Sequence, residues 1–206
     1  AFFERGIPGT IYGQTQPITG APGDKPSEAV RSLAGHGWEF GAHGYTHAYK
    51  LTEVSDEVLE MELGVPAAQI DIATGAYPVT FASPFGDYDD RVLERARFYY
   101  TAHFRGWGNE GINRFDQTDH WQVNREQVSN TKSVDQICAE IEKAGREGYW
   151  LVYIWHRVVE RPTTEYENSV IQFEGVLDCA ARLRDAGKIH LMTARDALAV
   201  VPDTPQ

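Results

Sequence analysis

Residues 38–47 read WEFGAHGYTH, and the reading of this stretch decides the fold. Trp38 to Ala42 form a short strand-like run, and His43 and His47 follow it with i, i+4 spacing. In parallel α/β folds, chemistry gathers at the carboxyl ends of strands. If a helical turn starts at His43, both imidazoles project to one side, and two neutral ring nitrogens can grip a divalent cation. The spacing by itself leaves open a second reading, two ordinary surface imidazoles, so the rest of the chain has to supply the other parts of a site.

Working outward, strand-like and helix-like stretches alternate. IPGTIYGQ (7–14) reads as a strand and is followed by a Gly/Pro loop through Pro26. PSEAVRSLAGHG (26–37) reads as a helix capped by Ser27, and SDEVLEMELGV (55–65) as an amphipathic helix capped by Ser55. VTFASPFG (79–86) is a short strand, DYDDRVLERARF (87–98) a helix and YYTAHF (99–104) a strand. Residues 106–121 are irregular. SVDQICAEIEKAGREG (133–148) is a helix capped by Ser133. YWLVYIWH (149–156) is the most apolar run and reads as a buried strand. SVIQFEGVLDCAARLRDAG (169–187), KIHLMT (188–193) and ARDALAV (194–200) close the chain as helix, strand and helix. The order predicts a parallel sheet or barrel with helices outside, in a single domain over 1–206. AFFERG (1–6) resembles the last turns of a helix stopped by Gly6, as if the chain began inside an element.

Composition narrows the function. Net charge is −11 with pI about 5.0, which speaks against a nucleic-acid partner and suits a neutral or cationic substrate. No apolar run approaches the ~20 residues of a membrane span. No signal peptide is visible, and this says little about location, as the resemblance below explains. The two cysteines, Cys138 and Cys179, cannot make a Cys-rich metal site; they read as small buried hydrophobes, with one disulfide possible.

His156 closes the apolar run 149–156, again at a strand's carboxyl end. By itself such a histidine is a residue satisfied at the core edge; two strand-end histidine features on one sheet converge on one face. Pro84 and Gly86 shape a loop after a third strand, and Asp87, Asp89 and Asp90 read as a solvated, helix-capping cluster.

Taken in order, these features resemble the polysaccharide deacetylase family, the NodB-homology domain of carbohydrate esterase family 4. HGYTH (43–47) is similar to its H-[ST]-x-x-H, with Gly44 at the Ser/Thr position. ASPFG (82–86) is similar to R-x-P-[YF]-G, with Ala82 in the arginine's place, a variant that resembles the branch acting on poly-N-acetylglucosamine. IWH (154–156) is similar to L-x-H, with Ile154 as the leucine. ERGIPGTIYG (4–13) resembles the entry to the family's second strand, and AGKIHLMTARDAL (186–198) its closing strand and helix. The family's T-F-D-D-G motif would lie upstream of Ala1.

The resemblance implies a distorted (β/α) barrel of the deacetylase type and metal-dependent removal of acetyl groups from N-acetylated sugars in a carbohydrate polymer. It implies His43 and His47 as metal ligands, zinc being the first choice for a two-histidine, one-carboxylate site, and His156 as the acid that protonates the departing amine. Pro84, Phe85, Gly86, Trp121 and Ile154 would line the substrate, and Asp116 or Asp119 would orient the catalytic histidine. It also implies an extracellular or cell-surface home, with signal, first strand, metal-binding aspartate and base all upstream. On that reading the chain alone is nearly inactive, the sheet is open beside Ile11 and Trp38, and about 25–35 upstream residues restore turnover. Two other readings remain: a carbohydrate-binding or structural domain of deacetylase ancestry in a larger surface or tail assembly, and a different α/β-barrel hydrolase.

Overall fold

The computed structural model describes residues 1–15, 28–107 and 111–205. In chain order the strands are β1 (Thr10–Gly13), β2 (Glu39–Ala42), β3 (Thr80–Ala82), β4 (Ala102–Trp107), β5 (Ile112–Arg114), β6 (Val123–Gln127), β7 (Tyr149–Leu151), β8 (Tyr153–Ile154), β9 (Arg157–Val159) and β10 (Glu167–Ser169). The helices are α1 (Glu28–Gly35), α2 (Asp56–Thr74), α3 (Asp90–Ala96), α4 (Val134–Glu147), α5 (Val170–Asp185) and α6 (Ala194–Val200). The chain forms two compact units, each assembled from three stretches: 9–106 with 119–123 and 193–206, and 1–8 with 107–118 and 124–192.

The first unit holds the parallel sheet β1-β2-β3-β4. Thr10 to Gly13 pair residue by residue with Glu39 to Ala42; Ala42 pairs with Phe81, and Thr80 to Ala82 with Ala102 to Phe104. Parallel strands buried on both faces need near-continuous apolar or small side chains, and β2 and β3 are buried throughout. The core gathers Phe40, Phe81, Leu51, Leu59, Leu63, Val92 and Tyr100. β2 is flanked on both sides, by β1 and β3, so the sheet is not open beside Trp38. Among the described residues β1, around Ile11, is an outer strand of its sheet.

Helix α2 departs from the sequence reading. Pro66 has no N–H for the carbonyl of Glu62, so a stop at residue 65 is the local expectation. The helix instead runs to Thr74, because Leu63, Pro66, Ala67 and Ile70 bury one continuous face. That packing outweighs the ~3 kcal/mol penalty of an interior proline. Ser55 caps the start as expected, its side chain accepting from Val58 N–H. The cap assigned to Ser27 lies outside the described residues.

In the second unit, α4 and α5 face one another over Val128, Ile137 and Val176. Ser133 and Gln136 form a reciprocal capping box at the start of α4. The run 149–156 is not one buried strand. It changes partner at Val152, whose N–H donates to Gly111 O at 2.9 Å while its carbonyl accepts from Glu126 N–H at 3.0 Å. β7 is therefore antiparallel to β5, and β8 is parallel to β6, both half-buried. Gly111 makes the switch possible: its φ is +67°, and a Cβ there would stand 2.5 Å from Val152 O. The irregular segment contains β5, and β6, β9 and β10 arise where no strand was expected. Residues 188–193 form no strand, and AFFERG holds only a single 3-10 turn over Phe3–Arg5, ended by Gly6 at φ 58°.

Cys138 and Cys179 are joined as a disulfide between α4 and α5, across 41 residues of sequence. Chain-entropy arguments give a loop of that length a stabilisation of about 4 kcal/mol. Reduction under non-denaturing conditions is expected to lower the urea midpoint of this unit accordingly; an unchanged midpoint would show the bond does not constrain the unfolded chain.

The β9–β10 loop carries a second built feature. Glu167 Oε2 accepts from Thr163 N–H (2.8 Å), Thr163 Oγ1–H (2.9 Å) and Thr164 N–H (3.3 Å), while Oε1 meets Arg157 at 2.9 Å. The Thr163 backbone N–H, then its hydroxyl, hold this carboxyl below the ordinary carboxylate range, against the opposing effect of burial. A depressed carboxylate stabilises the fold above its unfolded pKa and loses that contribution as pH falls through its folded value. The loop is expected to loosen below about pH 4, read as faster amide exchange at Thr163 and Thr164. Exchange that stays slow through that range would refute the role of the charge.

Candidate active site

His43 follows the last residue of β2, and its ring Nδ1 lies 2.7 Å from Ala82 O at the end of β3. A carbonyl only accepts, so Nδ1 carries a hydrogen, and in the neutral ring the lone pair then lies on Nε2. This is the tautomer a metal-ligating imidazole needs, fixed by a backbone carbonyl. The His43 and His47 rings lie 4.8 Å apart, inclined by 56°. Both are half-buried. The two rings are neighbours, yet no helical turn joins them. Gly44 has φ +80° and His47 φ +55°, so the chain loops out and returns in left-handed backbone.

Gly44 explains its own departure from the Ser/Thr pattern. Its left-handed φ disfavours any Cβ, and an added Cβ would stand 3.0 Å from both Glu62 Oε2 and Pro84 Cγ.

The 82–86 segment meets the histidines. The Phe85 ring lies 4.4 Å from that of His47 and is 52% exposed, while Pro84 is buried. Phe85 takes φ +58° and Gly86 φ +68°. At Gly106, within β4, an added Cβ would meet Gly86 Cα at 2.8 Å, so two backbones touch there. Behind the segment, Ser83 Oγ lies 2.8 Å from Nε2 of the fully buried His103, whose Nδ1 is 3.1 Å from Trp121 O. Since a carbonyl only accepts, His103 Nδ1 donates to Trp121 O, and the Ser83 hydroxyl is the partner of its Nε2.

The remaining sequence-named residues are placed as follows. Trp121 is 7% exposed in the core of the first unit, with the Arg97 guanidinium 4.0 Å above its ring. Its N–H is taken by Asp119 Oδ1 at 2.7 Å, which makes Asp119 a local turn-former. Asp116 is exposed, in the other unit. Ile154 pairs with Gln127 and is half-buried. His156 is exposed at the β8–β9 junction, edge-on to Tyr166 with ring centroids 5.6 Å apart. Asp89 caps α3 through Val92 N–H, and Asp87 Oδ2 accepts from Thr52 N–H and Oγ1–H.

Two contributors went unread in the sequence: Glu62 and the Ser83–His103 pair. Glu62 carried a signal, since it falls on the Leu59, Leu63, Pro66 stripe of α2, where a carboxylate is out of place. His103 carried none. Among the described residues no cluster of three or more His, Cys, Asp or Glu is arranged to hold a metal.

Comparison with known proteins bears on the sequence pattern and the fold. The sequence pattern of the polysaccharide deacetylase family matches residues 2–101. Chitin deacetylase 2 of Cryptococcus neoformans var. neoformans serotype D (strain B-3501A) is 29% identical over 126 residues, 61% of this chain and 25% of that protein. The chain therefore spans about a quarter of the length of the curated relatives it matches. Among solved structures, the T48 deacetylase with substrate has TM-score 0.61 at 16% identity, covering 99% of this chain and 83% of that one. A CE4 family pseudoenzyme from Bacillus anthracis has TM-score 0.59 at 13% identity, covering 98% and 58%. The α/β architecture is shared with these structures along nearly the whole chain, and residues 2–101 carry the sequence pattern of the polysaccharide deacetylase family.

Proposed function

We propose that residues 1–206 act as one deacetylase domain that hydrolyses the acetamide of N-acetylated sugars in a polymer, with a divalent metal, zinc first, held by His43 and His47. The observation that carries this reading is the His43 Nδ1 contact to Ala82 O, with the His47 ring 4.8 Å from that of His43. The donor set suits zinc: two imidazoles, one of them oriented by a backbone carbonyl. Two such ligands make a partial set, and the described residues contain no third. A bound divalent ion would supply Lewis acidity at the acetyl carbonyl.

The chain's own residues supply the rest. Phe85, half-exposed beside His47, offers an apolar face to a sugar ring. Left-handed Phe85 and Gly86 hold the backbone of this loop in one shape. His156, exposed at a strand end, is the proton donor to the departing amine; imidazole is suited to this near neutral pH. Asp116 shares a unit with His156, whereas Asp119 does not and already binds Trp121 N–H, so Asp116 is the stronger candidate to orient it. Ile154, next but one to His156, is the apolar residue offered to the acetyl methyl. The net charge of −11 favours a product whose freed amine is cationic. The Cys138–Cys179 disulfide supports an extracellular or cell-surface setting, because such bonds persist in oxidising compartments.

A second reading, a binding or structural domain of deacetylase ancestry, is favoured by Ala82 in the arginine's place and by the partial ligand set. Metal analysis separates the two. On the first reading the purified protein takes up zinc stoichiometrically, and His43→Ala with His47→Ala abolishes uptake; equal uptake by the double variant would remove these residues from the metal's coordination. In the longest active form of the protein, His156→Ala is expected to lower kcat on N-acetylglucosamine oligomers by roughly 10²–10⁴-fold. Unchanged turnover would return His156 to a packing role.

A further inference from the structure

We infer that Glu62 is the positioning residue of the histidine pair, holding the 44–48 loop in the one backbone shape that brings the His47 ring beside His43. The inference rests on the metal reading above. Glu62 is 1% exposed, on the buried face of α2. Its Oε2 accepts from Tyr45 N–H at 2.8 Å and Thr46 N–H at 3.1 Å, and its Oε1 accepts from Thr46 Oγ1–H at 2.6 Å. Thr46 Oγ1 in turn accepts from Ala48 N–H at 3.2 Å. Every residue between the two histidines is thereby set by one carboxylate: Tyr45 and Thr46 directly, and Gly44 because nothing larger fits against Oε2.

The physical need is specific. His47 stands at φ +55°, a conformation a non-glycine residue keeps only when its surroundings impose it. The loop makes no helical or strand hydrogen bonds, so its inward N–H groups require an acceptor in the core. A buried carboxylate requires donors for the same reason. Each satisfies the other, and the result fixes the approach of two imidazoles. Glu62 itself touches neither histidine ring in any contact described above; it acts through backbone.

Charge and shape can be separated experimentally. In Glu62→Gln, the amide oxygen can still accept both backbone N–H groups, and the amide NH₂ can donate to Thr46 Oγ1. Glu62→Leu keeps the volume and removes every acceptor. Zinc affinity is measured by calorimetry on the purified chain, together with amide exchange at Tyr45 and Thr46. Glu62→Leu is expected to weaken zinc by about 10–100-fold, the usual cost of losing an outer-shell partner, and to speed exchange at both amides. Glu62→Gln should stay near the unsubstituted chain. Thr46→Val, which removes a single bond and leaves the core intact, should show a smaller loss in the same direction and serves if Glu62→Leu does not fold.

Zinc affinity unchanged in Glu62→Leu and Thr46→Val would overturn the inference. So would a Glu62→Gln loss as large as that of Glu62→Leu, which would make the carboxylate charge itself a ligand or base. Failure of the unsubstituted chain to bind zinc would instead sink the metal reading. Exchange then decides the positioning role: opening of Tyr45 and Thr46 in Glu62→Leu sustains it, and unchanged protection ends it.

Discussion

The hydrogen bond from His43 to the carbonyl of Ala82 is the contact on which the site depends, and it exists because β2 and β3 lie parallel and in register. Ala42 pairs with Phe81, so the next residue on each strand, His43 and Ala82, emerges at the same edge of the sheet. Parallel strands deliver their carboxyl ends to one side, and side chains just past those ends meet without any long loop. A slip of one residue would turn His43 toward the opposite face. Burial of both faces of β2 and β3 makes that slip costly, and so the packing of Phe40, Ala42 and Phe81 indirectly sets an imidazole tautomer.

Around this contact the loops use strain and satisfy it locally. His47 and Phe85 both hold left-handed backbone, each uncommon for a residue with a Cβ. The first is held through Glu62; the second sits in a turn whose far end touches Gly106, where glycine is required for backbone to meet backbone. The 48–54 stretch that leaves the site is tied down by Asp87 and by Arg91, which donates to Leu51 O and Val54 O. Acids that could look like catalytic candidates in a list of carboxylates thus serve as acceptors for backbone N–H groups. Their positions follow from the cost of leaving a buried polar group unpaired.

The helices were legible wherever their ends carried chemistry. Ser55, Ser133 and Ser169 each cap a helix, and glycine ends those beginning at Asp56 and Val134. The strands were legible only where burial was two-sided. WEFGAH and VTFAS became β2 and β3, whereas 149–156 broke into two because Val152 exchanges one partner for another, a choice that Gly111 makes possible from far away in sequence. The extension of α2 through Pro66 was hidden for the same reason: a local rule gave way to an apolar face supplied by the rest of the unit.

The sequence by itself determined the residue types and their order: two histidines behind a strand, a Pro-Phe-Gly turn behind a second, a histidine closing a third apolar run, and an acidic surface. These follow from periodicity, turn chemistry and charge, all of which are local. Only the tertiary structure decided that His43 and His47 are joined by left-handed loop and not by a helical turn, that Trp121 faces inward, that Cys138 bonds Cys179, and that Glu62 is the acceptor beneath the loop. Each of these depends on which distant group completes a hydrogen bond or fills a volume. Such completion is a property of the packed chain, and no window of neighbouring residues contains it.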